Sequence, residues 1–401
     1  VLTSKQLASI TTTQLAAFNS DNIAALTNTQ VGALSSAQMA TLDAAELNSF
    51  TTSEIAALNA TALSTVSTAI FSALSTENVS VLTTGQIAKL TTAQVNSFTS
   101  EQIGALTSGQ FAGLSAAQVK SIATSSLSGL LTGQVAALGT TQLAALTTEQ
   151  LATFSSDNIE ALTLSQVGAL TSAQVSTLDA AELNSFTTTE IAAINIKALP
   201  GISGAVLAGL NSTNTAALTT AQVSSLSTAQ VGSLVSEQVN ALTTDQVDAL
   251  TVKQISSVTT DALAGLQTGQ VAILSTKQLV AITTTQFAAL SSDNIVALTT
   301  TQAGSLTSAQ IATLDATELN SFSTTELAAL STASLQGITT AALSGLTSDN
   351  VVALTTTQVS KLGNAQIAAF TSEQVGSLLT GQINALSAAQ VKVIATASLA
   401  G

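Results

Sequence analysis

The sequence predicts an all-α superhelical solenoid of very short capped helices, one for every eight residues. Three observations lead there. An apolar pattern repeats every eight residues from end to end, a helix-start signature runs in phase with it, and acidic residues gather at the predicted helix starts.

Counting in eights from Leu2 gives fifty positions, and all fifty carry Leu, Ile, Val or Phe. A second series from Leu7 to Leu399 is large and apolar except at Thr215 and Ala303. All ten Phe fall in these two series, and no Lys, Asp or Glu does. A continuous helix cannot carry this pattern, because eight residues turn it by about 800° and the stripe drifts by about 80° per repeat. A flat strand fails as well, since the alternating spacings of five and three are both odd and send successive apolar residues to opposite faces. A fixed period without insertions marks a stacked repeat architecture, in which no unit buries its face alone.

The polar positions fix the helix starts. The residue after the first apolar one is Ser, Thr, Asp or Asn in 42 of 50 octads, and three residues later comes Gln or Glu in 35 of 50. That is the capping box, S/T-x-x-E/Q, in which two side chains satisfy each other's backbone amides at a helix start. In the first octad Leu2 is N′, Thr3 the N-cap, Gln6 N3 and Leu7 N4, and the N′ to N4 contact is a hydrophobic staple. Independently, 20 of the 22 acidic residues lie between the N-cap and N3, where the positive end of the helix dipole favours them. Such short helices persist only by stacking. The expected surface is Thr, Ser and Gln, with small residues such as Ala17, Ala25 and Ala33 allowing close approach. The alternative is a Thr-rich β-solenoid, since Val and Thr favour strands, but capping boxes have no role in it.

A longer period lies over the octad. "LDAAELNSF" at 42–50 recurs at 178–186 and, as "LDATELNSF", at 314–322, a separation of 136 residues or seventeen octads. The chain therefore divides into super-repeats at 1–136, 137–272 and, incomplete, 273–401. N3 Gln is missing at Ala62 and Ile70, Ala198 and Val206, and Ser334 and Ala342. These stretches are either drift between duplicated copies or a bend or lateral seam once per unit. The second copy holds the only proline, Pro200, which interrupts a helix at N5.

Composition narrows the chemistry. The chain has no Cys, His, Trp or Tyr and a formal net charge of -14. This disfavours a nucleic-acid partner and removes thiolate sites and the commonest general base. Ser is abundant but has no base to activate it, so no enzyme, catalytic residue or cofactor is expected. Polar residues interrupt every apolar cluster long before a membrane span is complete. Lacking Met at Val1 and in phase at Leu2 and Leu399, the chain reads as an interior slice, or the processed repeating part, of something longer. The strongest candidate metal site is the acidic cluster Asp43, Glu46 and Glu54 with its copies Asp179, Glu182, Glu190 and Asp315, Glu318, Glu326. Stacked octads could bring these carboxylates together around calcium, although capping alone explains each one. Asn59, Asn78 and Asn211 begin glycosylation sequons, which chance also produces in a chain so rich in Ser and Thr.

Stretches such as "LTTAQV" at 90–95, "LTSAQV" at 170–175 and "LTTGQI" at 82–87 resemble the LTxxQVxAL arrays of very large bacterial surface or secreted repeat proteins, along the whole chain. The resemblance implies a structural protein, a component of an extracellular filament or other elongated surface assembly formed by homopolymeric self-association. The stalk of a giant adhesin and a calcium-dependent matrix or surface-layer protein are the alternatives. Single octads also resemble helix starts in the repeats of transcription-activator-like effectors, whose longer unit and base-reading loop are absent here.

Overall fold

The structure is a computed structural model that describes residues 2–394, so Leu399 lies outside the described residues. Every octad among them carries one helix, giving 47 α-helices and two 3-10 helices. No strand is present among the described residues, and the β-solenoid is set aside.

The first octad shows how the chain turns so often. Helix Ser4–Ser9 starts behind Thr3, at φ -74° and ψ 160°, and stops at Ile10, at φ -70° and ψ 147°. Two extended residues, one apolar and one capping, thus separate this helix from the next, and where a helix is shorter, as at Thr12–Leu15, αR residues such as Ala16 come before them. No described residue has positive φ, so left-handed glycine caps are not used. A short i to i+3 bond closes the helix end instead, Ile10 N donating to Leu7 O at 3.3 Å.

The helices pack into two compact units, Val1–Ile202 and Ser203–Gly401. This division follows packing, whereas the 136-residue super-repeats follow sequence kinship. Within each unit a helix packs on the third helix after it, so each unit is a superhelical stack with between three and four octads to a coil. Both apolar series point inward: Val95, Ile103 and Val119 at N4 are fully buried, and Leu106 and Leu114 at N′ nearly so. Rings stack between coils where Phe71 meets Phe98 edge-on at 6.0 Å. The two exceptions in the N4 series, Thr215 and Ala303, are buried too, and Thr215 returns its hydroxyl to Asn211 O at 2.9 Å. No helix among the described residues is long and apolar enough to cross a membrane.

Close approach falls elsewhere than expected. Ala17 and Ala25 are exposed and Ala33 is half-buried. The tight contacts occur at the last residue of particular octads, which faces the backbone three octads earlier. A Cβ on Gly129 would stand 1.9 Å from Ser100 O, one on Gly265 2.3 Å from Ser236 O, and one on Gly337 1.9 Å from Ser308 O. Each of these octads has a small N3 residue, Ser126, Ala262 or Ser334, so losing the long N3 side chain lets the backbone sink onto the coil below. Two such octads are the 3-10 helices Thr124–Gly129 and Leu199–Gly201. The second contains Pro200 and ends at Gly201, whose Cβ would lie 2.0 Å from Ser172 O; no α-helix forms in this octad, and Pro200 lies within the 3-10 turn instead of interrupting a helix at N5.

Gly337→Ala should therefore destabilise the protein by about 1–3 kcal/mol, the usual range for overpacking. Gly109→Ala, with nothing within 4 Å of its Cβ, should be neutral or slightly stabilising. Thermal or denaturant unfolding of the two variants checks this contrast.

Candidate functional site: the glutamine ladder and the acidic octads

At N3 the structure departs from the surface expected of Gln. Gln94, Gln102 and Gln118 are buried, at 2–3% exposure, and each side chain bonds in two directions. The oxygen completes the capping box: Gln94 Oε1 accepts from Thr91 N at 2.9 Å, and Gln94 N donates to Thr91 Oγ1 at 3.2 Å. The amide nitrogen crosses to the preceding coil. Gln94 Nε2 donates to Leu63 O at 3.1 Å and Val66 O at 2.8 Å, and Gln102 Nε2 to Phe71 O and Leu74 O, both at 2.8 Å.

The acceptors lie 31 and 28 residues back, at the end of one helix and the N′ residue that follows it. The first of them already accepts a backbone bond, as from Leu74 N to Phe71 O at 3.2 Å, so Gln fills its second lone pair, and the N′ carbonyl lies beyond the helix end, where no intrahelical donor reaches it. The same register recurs in the second unit, where Gln302 Nε2 reaches Val271 O and Leu274 O, both at 2.8 Å. The backbone bonds between helices and at their ends run three or four positions along the chain among the described residues, and side chains bond from coil to coil, as at Gln94 and Gln102. No buried side-chain nitrogen or oxygen among the described residues lacks a partner.

The length and chemistry of the N3 side chain decide how many such bonds form. Asn, one methylene shorter, reaches one carbonyl: Asn158 bonds Leu130 O at 3.2 Å and Asn294 bonds Leu266 O at 2.9 Å. Ser126 donates its hydroxyl to Phe98 O at 2.7 Å, in an octad already drawn down by Gly129. Glu keeps the capping box and loses the donor, because a carboxylate only accepts.

The candidate calcium residues are all engaged this way. Asp43 Oδ1 accepts from Glu46 N and Glu46 Oε2 from Asp43 N, both at 2.8 Å. Asp179 with Glu182, and Asp315 with Glu318, repeat that box. Glu54, Glu190 and Glu326 occupy the next octad and accept from Thr51 N, Thr187 N and Ser323 N at 2.7–2.8 Å. The structure thus joins two acids of each trio in one box and puts the third in another. Among the described residues no group of three or more acidic side chains is placed to hold a metal ion. Of the sequon residues, Asn78 is buried and donates to Leu47 O at 3.3 Å, while Asn59 caps its helix through Thr61 N and Ala62 N.

Two exposed N2 acids show the field at these helix starts. Hydrogen bonds from their own backbone amides, and then from the Thr99 and Thr147 hydroxyls, hold the carboxyls of Glu101 and Glu149 below the ordinary value. Their contribution is present above the usual carboxylate range and lost as pH falls through the lowered value. The surface grooves offer little chemistry: one of about 560 Å³ is lined by Thr107, Ser108, Leu131, Gly133 and a single carboxylate, Asp157.

Residues 89–116, 135–172, 263–300, 279–316 and 319–356 match the model of the ALTTAQ repeat. No curated protein matches the chain. The chain is a repeat protein, and these segments are similar to that repeat.

Gln102→Glu keeps the size and the capping box of Gln102 and removes both donors to the coil below. It should cost about 1–3 kcal/mol, the penalty for leaving buried polar groups unsatisfied. The same change at Gln14, which is exposed, should leave the unfolding midpoint nearly unmoved.

Proposed function

We propose that this repeat protein is a structural component of an elongated extracellular bacterial assembly, a filament or related surface structure, built by homopolymeric self-association. The observation that supports it most is the Gln ladder. The same side chain, in the same register, ties octad after octad to the coil before it, so the buried polar groups serve axial stacking. In such an array stability comes from nearest-neighbour interfaces, and length is added without changing the unit. The octads that resemble bacterial surface arrays support an extracellular or cell-surface location. The net charge of -14 opposes nucleic-acid binding, and the absence of any His or Cys argues against enzymatic chemistry.

The adhesin stalk is the second reading, favoured by the same ladder if the array works as a monomeric spacer. A calcium-dependent matrix would need acids from separate capping boxes to converge. Negative-stain electron microscopy and sedimentation of the purified chain distinguish these readings. Thin fibres longer than one chain, forming without calcium, are the expected result. Particles that stay monomeric at high concentration contradict self-association and favour the stalk, and fibres that require calcium favour the matrix.

A further inference from the structure

The longest interruption of the ladder, which holds its Glu residues, recurs once in each super-repeat, and the second unit shows the consequence most clearly. Between residues 314 and 337 the N3 residues are Glu318, Glu326 and Ser334, three octads in a row and close to a full coil. By the 28- and 31-residue register, Glu318 stands over the carbonyls of Leu290 and Phe287, and Glu326 over those of Leu298 and Ile295. Neither carboxylate supplies a donor. Both are spent on their own capping boxes, and the Ser334 hydroxyl turns back to Ser331, to its hydroxyl and its carbonyl.

Among the described residues no side-chain hydrogen bond joins 314–337 to the coil at 282–313. The interface is made of apolar side chains and of close backbone approach, as where Gly337 lies over Ser308 O. In the first unit the equivalent octads, 42–65, have one such bond, from Thr65 Oγ1 to Ser36 O at 2.9 Å.

Apolar contact holds two coils together but does not fix their register, because it is non-directional. A hydrogen bond from a particular Gln to two particular carbonyls does fix it. We propose that the Glu-containing coil interface is a built-in shear plane, the place where each 136-residue unit slides or opens first, and that the rest of the stack is kept in register by the ladder. Small sliding of packed helices is an established mode of conformational change, and low-stability segments open independently of the whole. An array with one Glu-containing interface per 136 residues yields at fixed intervals while its laddered coils stay in register.

Hydrogen–deuterium exchange of the full chain, followed by mass spectrometry, tests this. Amides in 314–337 should exchange at least about tenfold faster than those in the laddered octads at 266–289 of the same unit. The double change Glu318→Gln with Glu326→Gln is isosteric, keeps both capping boxes and adds two amide donors. It should slow exchange in 314–337 by about tenfold. The reverse change, Gln270→Glu with Gln278→Glu, should speed exchange in 266–289. Glu373→Gln removes the same kind of charge from an exposed N2 position outside the ladder and should do neither. Equal exchange in the two segments of the parent protein overturns the proposal. So does a Glu318/Glu326 double variant that behaves like Glu373→Gln.

Discussion

One carboxamide with two ends organises this molecule. A helix of four to six residues satisfies few of its own backbone groups and is not stable alone. The capping box deals with the amides at its start, but the carbonyls at its end need donors from elsewhere. With no residue at positive φ among those described, glycine caps do not supply them. Gln does, because its side chain carries an acceptor and two donors at once: the oxygen closes the box of its own helix, and the nitrogen closes the end of a helix 28 to 31 residues earlier. Within each unit, the start of a Gln octad beyond the first coil is thereby bound to the end of an earlier one.

Magnitudes separate what holds the coils together from what aligns them. Each buried Leu, Ile or Val contributes about 1.5–3 kcal/mol by leaving water, and most octads bury two large apolar residues. A ladder bond adds roughly 0.5–1.5 kcal/mol net. Cohesion is therefore mainly apolar, and register is mainly polar. The variants at N3 follow from this division. Asn keeps one bond, Ser126 keeps one where the backbone sinks to meet it, and the octads of Ala198, Ala262 and Ala342 approach the coil below over Gly. Only the Glu octads keep the side-chain length and lose the donor.

Much of this architecture was legible in the sequence. The octad, the phase of both apolar series and the N-caps all follow from local rules, because capping and stapling join residues fewer than eight positions apart. The ladder joins residues in different coils, and spacing along the chain does not say which octads stack. Local spacing alone therefore places Gln on the surface. A signal was present nonetheless: N3 holds Gln 29 times and Glu six times, although the capping box accepts either residue and the helix dipole favours the acid. That excess of amide over carboxylate marks a position that must donate as well as accept. A second signal is the pairing of Gly with N3. Of the nine octads with neither amide nor carboxylate there, seven end in Gly, which reports backbone contact between coils. Stacking of neighbouring octads makes the acidic trios possible ligands on sequence grounds, and their geometry is that of two capping boxes in successive octads.

The central claim is that the N3 carboxamides are buried donors between coils, and nuclear magnetic resonance of the Gln side-chain amides measures this directly. Gln6 and Gln14 lie in the first coil and are exposed, so they serve as internal references. The carboxamide protons of Gln94, Gln102 and Gln118 should exchange with solvent orders of magnitude more slowly than those of the two references. Exchange of all five at the rate of a free carboxamide would contradict the account.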